Sequence, residues 1–221
     1  MNSDELDKTG SPKPGTGGAC GDADGAVAAS AAAPAGLAGL ARLEAAVVAE
    51  GGRTLPPVDQ WNPPYCGDIG LAIARDGTWS YRGSPILRIP LVKLFASVLR
   101  RDEDGRHYLV TPAEKVDVAV ADAPLLAVEL EVIGAARGQT LVMRTNLDDV
   151  VRIGREHALR FDPSHEGAIR PYVHIRGRIE ALVTRAVTYD LADLFAEDDA
   201  GRIGLWSGGV FFALEQQASR S

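Results

Sequence analysis

Leu71-Ala72-Ile73-Ala74-Arg75-Asp76-Gly77-Thr78-Trp79-Ser80-Tyr81-Arg82 is the stretch whose reading decides the fold. Leu71–Arg75 reads as a strand, Asp76-Gly77 as a tight two-residue turn, and Thr78–Arg82 as the returning strand of a hairpin. Gly83-Ser84-Pro85 breaks that strand. Pro90 suits the first turn of a helix, and Leu91, Leu94, Phe95, Val98 and Leu99 mark one helical face. Arg100 and Arg101 then fall at its C-terminal end, where the helix dipole favours cations. An acidic turn, Asp102–Gly105, leads to a strand over His107–Thr111. After Pro112, Val116, Val118 and Val120 alternate with Asp117 and Ala119 in a strand over Lys115–Val120.

The same order returns one hundred residues later. Gly77, Leu91, Leu94 and Phe95 recur as Gly177, Leu191, Leu194 and Phe195, the strand around Ile73 has a counterpart around Val173, and Trp79 aligns with Ile179. A second acidic turn, Glu197–Gly201, precedes Arg202 and a strand over Ile203–Trp206. The offset falls to 96 at Gly105, about one helical turn, so the second helix is expected to be shorter without rotating its apolar face. The matching order points to an internal duplication.

Between the copies, Leu126, Val128, Leu130 and Val132 alternate with Ala127, Glu129 and Glu131, as in a half-buried strand. Gly134–Gln139 turns the chain into Leu141–Thr145, and Val150–Ile153, His157–Phe161 and Val210–Leu214 read as further strands. The expected fold is therefore α+β: a two-lobed, duplicated, antiparallel sheet-plus-helix core, the second lobe a curved sheet or partial barrel. Asp122-Ala123-Pro124 marks the lobe boundary, dividing a first lobe at 65–121 from a second at 122–215. Lobes of this size are expected to pack together over a substantial interface.

Outside this core, residues 1–35 are mostly Gly, Ala, Pro, Ser and Asp, too poor in large apolar side chains to offset the entropy of ordering. Ala26–Ala35 is not read as a signal peptide, because the leading residues are acidic and Pro34 interrupts the run. Residues 36–64 form a brace and linker: Leu37, Leu40, Leu43 and Val47 have helical spacing, Gly51-Gly52 stops the helix, and the prolines of Leu55–Pro64 force an extended path. Trp61 there is most simply an anchor on the core, with ligand stacking as the alternative. Residues 216–221 are a short tail.

The chain of 221 residues has a net charge of −7; removing the tail's −3 and Arg220's +1 leaves −5 on residues 36–215. Such acidity argues against coating nucleic acid or an anionic membrane through net charge. No apolar run is long enough to span a bilayer. Two cysteines without a C-x-x-C give a cytoplasmic expectation, and Cys66 reads as a small buried hydrophobe or a redox thiol.

Familiar chemistry is absent. The sequence has no P-loop, no strand-linked G-x-G-x-x-G and no H-E-x-x-H. The four histidines lack metal-ligand spacing, although His157 and His174 can meet across strands. Ser207 in Leu205-Trp206-Ser207-Gly208-Gly209 resembles half a nucleophile elbow, but Leu205 stands where the first glycine is required. Asn146–Asp149 offers oxygen ligands to a cation, yet reads more simply as a turn. No cofactor or metal is expected.

Basic residues are nineteen arginines against four lysines, and arginine's planar fork suits phosphate and carboxylate. Arg82 and Arg88 flank the break before the first helix, with Lys93 in its first turn, where free amides also favour anions. Pairing with surface acids is the competing reading of these cations. Thr111, Glu114, Lys115 and Trp206-Ser207 lie at the ends of corresponding strands, a common placement for an interlobe ligand site.

Several ordered motifs resemble one bacterial family, that of domain of unknown function 1285. These are Trp61–Ile69, Ile73–Trp79, Gly83-Ser84-Pro85-Ile86, Leu91–Phe95, Leu109–Val116 and Leu205–Gly209, spanning roughly residues 37–215. The N-terminal tail and the loop Asp162–Arg170 depart from it. The resemblance implies a duplicated two-lobed core and a C-terminal lobe superficially like a pleckstrin-homology fold. It also implies a site between the lobes for a nucleotide or nucleic-acid-like ligand, and signalling under oxidative stress.

The leading expectation is a non-catalytic regulatory module binding a phosphorylated or nucleotide-like ligand between its lobes. Arg82, Arg88 and Lys93 would hold phosphate, and Trp79 or Trp206 would stack on a base. Thr111, Glu114, Lys115, Asn146 and Ser207 would supply directional contacts. The alternatives are a protein-interaction adaptor using the second lobe's sheet, and an enzyme using Glu114 or Ser207, for which no activating base is visible.

Overall fold

The computed structural model of the chain describes residues 55–163 and 169–214. The expected tails and brace helix, and most of the loop 162–170, lie outside these residues. In the first lobe the order is β1 (Tyr65–Ile73), β2 (Trp79–Tyr81), β3 (Ser84–Pro85), α1 (Ile89–Ser97), β4 (Leu99–Arg101), β5 (His107–Val110) and β6 (Lys115–Val120). They form one six-stranded sheet in the order β3-β2-β1-β6-β5-β4. The Asp76-Gly77 turn closes as expected: Ala74 N–H donates to Thr78 O and Gly77 N–H to Ala74 O, with Gly77 at φ +80.

Three expectations are corrected here. The sheet is not wholly antiparallel, because β1 and β6 run parallel, with Leu71 opposite Val118 and Ile73 opposite Val120. Such a pair needs a long crossover, supplied by the segment containing α1. Helix α1 also ends at Ser97, and Leu99, Arg100 and Arg101 belong to β4. Val98 and Leu99 continue the helical spacing, but each is fully buried, and β4 pairs with β5 at Leu99–Leu109. Finally, Asp117 is buried rather than on a solvent face, because Tyr65 Oη and Arg106 both bond its carboxylate.

The second lobe begins with β7 (Leu125–Ile133), β8 (Thr140–Thr145), β9 (Val150–Arg152) and β10 (Leu159–Pro163). It continues with β11 (Ile169–Arg176), β12 (Ile179–Val183), α2 (Arg185–Ala192), β13 (Ala196–Glu197), β14 (Ile203–Ser207) and β15 (Val210–Ala213). The larger sheet runs β10-β11-β12-β7-β8-β9, again with one parallel pair, β12 with β7; the last three strands form a separate sheet.

Element order, turn geometry and three antiparallel pairs repeat between the lobes: β1·β2 recurs as β11·β12, β4·β5 as β13·β14 and β5·β6 as β14·β15. Asp102 N–H donates to Arg106 O at 3.0 Å and Gly105 N–H to Asp102 O at 3.1 Å; the same two bonds recur at Asp198–Arg202 and Gly201–Asp198, at 3.0 and 3.1 Å. Leu109 and its counterpart Leu205 are both fully buried. The parallel pair is what differs: on its other side β1 pairs with β6, whereas its counterpart β11 pairs with β10, and β14 and β15 form a separate sheet. The described structure is thus mainly β, with three sheets and two helices. A single apolar cluster runs through both lobes, including Phe95 and Leu99 from the first and Leu125, Met143, Val173 and Leu205 from the second.

Candidate functional site

The seam between the lobes is held by side chains whose partners lie far away in sequence. Lys93 on α1 pairs with Asp148 in the β8–β9 turn. Arg176 on β11 donates from Nη1 to Asp149 at 3.1 Å and from Nη2 to the Ala96 carbonyl at 2.6 Å. At the lobe junction, Asp122 accepts from Arg170 and, at 2.8 Å, from Tyr172 Oη.

Along this seam lies a cavity of about 320 Å³ whose wall comes from both lobes. The first lobe contributes Arg101 and His107, directly opposed across β4 and β5. The second contributes Asp122, Arg160, Asp162, Tyr172, Arg178 and Glu180. An adjoining cavity of about 220 Å³ is lined by Leu55–Asp59, Arg176 and Ile179, and Arg101 and Arg178 line both cavities.

The charges on the two walls are unevenly satisfied. On the second-lobe side, Arg160 forks onto Glu180 (2.6 and 2.8 Å) and pairs with Asp162 (2.5 Å), its guanidinium lying 4.2 Å from the Tyr172 ring centroid. Glu180, first among these partners, raises the Arg160 pKa and keeps it firmly charged. Arg101 has no ion pair among the described residues: its contact is Nε to Gly105 O at 3.2 Å. Arg178 pairs at 2.7 Å with Glu103, whose side chain is 85% exposed, a pair of small energetic weight. Burial, and then the Arg101 charge, push His107 down to about 4, so the imidazole is neutral near pH 7. The guanidiniums of Arg101, Arg160 and Arg178 and a neutral imidazole thus line the cleft together with the carboxylates of Asp122, Asp162 and Glu180. This arrangement offers hydrogen-bond donors to an anion and no visible nucleophile–base pair.

The ten residues expected from sequence lie elsewhere, and none lines this cleft. Trp79 is 1% exposed, its ring 6.3 Å from Phe95, so it packs the core. Arg82 lies exposed after β2 with its guanidinium 5.2 Å from the Tyr81 ring centroid, and Arg88 caps α1, its carbonyl accepting from Leu91 and Val92. Lys93 and Asn146 each lie at an interlobe contact, Lys93 with Asp148 and Asn146 beside Gly77. Asn146 Oδ1 accepts from Leu126 N–H at 3.0 Å, and a Cβ placed on Gly77 would lie 2.8 Å from Asn146 Nδ2. Thr111 and Glu114 are buried in the β5–β6 turn, where Thr111 Oγ1 accepts from the Glu114 amide at 3.1 Å. Beside them, Lys115 pairs with Asp102 at 3.1 Å and lies 4.4 Å from the Tyr108 ring centroid. Trp206 packs on Phe211 under Arg137. Ser207 is fully buried, accepting from Leu141 N–H at 2.9 Å and donating to Ile153 O at 2.7 Å.

Two smaller readings can be placed as well. His157 and His174 do meet, with ring centroids 5.9 Å apart, but His174 Nδ1 and Nε2 each contact a backbone carbonyl at 2.8 Å. Among the described residues no group of three or more His, Cys, Asp or Glu side chains is placed to hold a metal ion. No helix among them is long and apolar enough to cross a membrane.

The cleft residues did leave one signal in the sequence. In the duplicated frame, Asp76-Gly77-Thr78 corresponds to Arg176-Gly177-Arg178, so the second copy carries two arginines around the matching glycine. Arg101, Arg160 and His107 have no comparable mark.

A two-lobed, mainly β protein fits the family that the motifs resemble. One family model, described as "Domain of unknown function (DUF1285), N-terminal domain", matches residues 56–123. A second, "Protein of unknown function (DUF1285), C-terminal domain", matches residues 124–214. The chain belongs to the DUF1285 family. A crystal structure of a DUF1285 family protein from Silicibacter pomeroyi DSS-3 is 46% identical over 78% of this chain and 93% of that one, with a TM-score of 0.72. Another, from Shewanella baltica OS155, is 26% identical over 57% of this chain and 91% of that one, with a TM-score of 0.45. No curated protein matches the chain.

Proposed function

We propose that this is a non-catalytic, cytoplasmic regulatory protein that binds a small phosphorylated ligand in the cleft between its lobes. The observation carrying this reading is Arg101, a half-buried guanidinium on a two-lobe cavity with no acidic partner among the described residues. Leaving such a charge without an anion is costly where water is partly excluded, and a bound phosphate offsets that cost through charge-assisted hydrogen bonds. Arg178 would reach the same anion by leaving its exposed partner Glu103. A ligand held by one arginine from each lobe ties the lobes together, which supports a signalling role over turnover.

The phosphate cradle read at Arg82, Arg88 and Lys93 is a separate surface in this account. Enzymatic use of Ser207 has less support, since its hydroxyl is committed to two backbone groups. The adaptor reading would use the second lobe, taken as pleckstrin-homology-like. On its exposed β7–β8 face, Arg144 already pairs with Glu129 and Asp148.

The test is thermal unfolding of the full chain and of Arg101→Gln against inorganic phosphate, pyrophosphate, mono-, di- and cyclic nucleotides and short oligonucleotides. A ligand at one hundred times its Kd adds about 2.7 kcal/mol to the native state. A selective shift lost in Arg101→Gln supports the reading; no shift across the panel rejects it.

A further inference from the structure

The outer strands of the two large sheets are β3 and β4 in the first lobe and β10 and β9 in the second. An outer strand leaves one row of backbone groups without a ladder partner, and folded proteins ordinarily blunt or cover such a row. Three of the four are treated in that way. Strand β3 is two residues long and ends in Pro85, which has no N–H. Strand β4 lies against the segment 58–61, whose Val58 and Trp61 carbonyls accept from Arg100. Strand β15 packs against β10. Strand β9, Val150–Arg152, has no such cover among the described residues.

The register shows which groups β9 presents. Thr145 N–H donates to Asp149 O and Ile153 N–H to Leu141 O, so these two are bonded pairs of the β8–β9 ladder. Bonded and non-bonded pairs alternate along an antiparallel ladder. The pairs Arg144 with Val150 and Val142 with Arg152 are therefore the non-bonded ones, and the N–H and C=O groups of Val150 and Arg152 point away from β8. Val150 is 62% exposed and Arg152 is exposed on the same face, while Val151 and Ile153 are buried on the other. An open cavity of about 700 Å³ runs along this edge, from Thr140 to His157. Arg152 and Arg155 on its wall have no ion pair among the described residues, and Glu156 is the one acid there.

We propose that β9 is the docking edge for an extended acidic peptide of a partner protein, added antiparallel as a seventh strand of the second-lobe sheet. Main-chain bonds to the outward groups of Val150 and Arg152 supply the attachment, and the side chains opposite them set the sequence that fits. An acid belongs opposite Arg152, because opposite charges directly across an antiparallel pair stabilise each other. An apolar residue belongs two positions later in the peptide, opposite Val150. A further acid on the N-terminal side of the first lies toward Arg155. A second copy of β9 is a poorer occupant. The register that uses the outward groups of both copies sets Arg152 opposite Val150, leaves the arginines of both without acids and brings like charges together.

The probe is a short, blocked, threonine-rich peptide with two adjacent aspartates and a valine two positions after the second. It is titrated into the full chain and read by fluorescence anisotropy and by the Val150 and Arg152 amide resonances. Saturable binding that moves both resonances is the expected result. Asparagines in place of the aspartates, and separately N-methylation of the ladder-side amides, should each weaken it at least ~10-fold. Val150→Pro removes an outward N–H and no bond to β8, so the variant should fold and bind at least ~10-fold more weakly. Arg152→Glu replaces an exposed side chain and should exchange the aspartate peptide for its lysine version. No binding by the parent chain would overturn the proposal and leave Arg152 as a charge that blunts the edge. An N-methylated peptide that binds as tightly as the unmodified one would reduce the contact to surface charge. Dimerisation abolished by Val150→Pro would assign the edge to a second copy; either result overturns the proposal.

Discussion

Arg176 Nη2 donates to the carbonyl of Ala96 at 2.6 Å, joining a strand of the second lobe to the C-terminal turn of α1 in the first. That carbonyl is among the last four of the helix, which have no partner within it, and it lies at the negative end of the helix dipole. Through Nη1 the same guanidinium holds Asp149, so one side chain fixes both the helix end and the β8–β9 turn.

Arg176→Met keeps the apolar stem and removes both donors. It should lower stability by about 2–3 kcal/mol, the usual weight of hydrogen bonds to a charged group that is largely buried. Arg176→Lys should recover only part of this, because an ammonium on a single stem lacks the fork that reaches both acceptors. Urea unfolding of the two variants measures the difference.

Gly77→Ala tests the approach of the first hairpin to Asn146. The φ of +80 disfavours any L side chain, and the added Cβ would lie 2.8 Å from Asn146 Nδ2. A loss of about 1–3 kcal/mol is expected. In Asn146→Ala the steric part disappears, so a double-mutant cycle should show the two costs to be less than additive.

Ser207→Ala should cost about 2–3 kcal/mol by leaving the Leu141 amide and the Ile153 carbonyl without their buried partner. Any ligand binding in the interlobe cleft should survive once the variant is folded. Loss of binding with unchanged stability would instead place Ser207 in the site.

His107 gives the protein a pH dependence of definite sign. Its folded pKa is pushed down to about 4 by burial and by Arg101, whereas an unfolded histidine titrates near ~6.5. The unfolded state therefore binds the extra proton between those values. Stability is complete above pH ~6.5 and falls as pH drops toward 4. His107→Asn should flatten that part of the profile in acid unfolding curves. An anion bound at Arg101 should raise the His107 pKa, a shift readable from its imidazole resonances by NMR.

Much of this architecture was legible from local pattern. Val116, Val118 and Val120 gave β6 its observed bounds, and Asp76-Gly77 gave the hairpin. The end of α1 was not, because Val98 and Leu99 satisfy both a helical period and a buried strand, and pairing with Leu109 decides between them. Parallel pairing of β1 with β6 joins residues 47 to 50 positions apart and leaves no local mark. The cleft is illegible for the same reason. Arg101 and His107 meet across a sheet, Arg178 arrives from the other lobe, and nothing local separates Arg101 from its neighbour Arg100, which pairs with Asp102.

The central claim is that Arg101 and Arg178 together hold a small phosphorylated ligand between the lobes. The most direct measurement is calorimetric titration of the full chain, Arg101→Gln and Arg178→Gln with whichever panel compound raises the unfolding temperature. Saturable one-to-one binding in the parent chain, weakened at least ~10-fold by each substitution, is the predicted result. Equal affinity in all three proteins, or no binding by any phosphorylated compound, would contradict it.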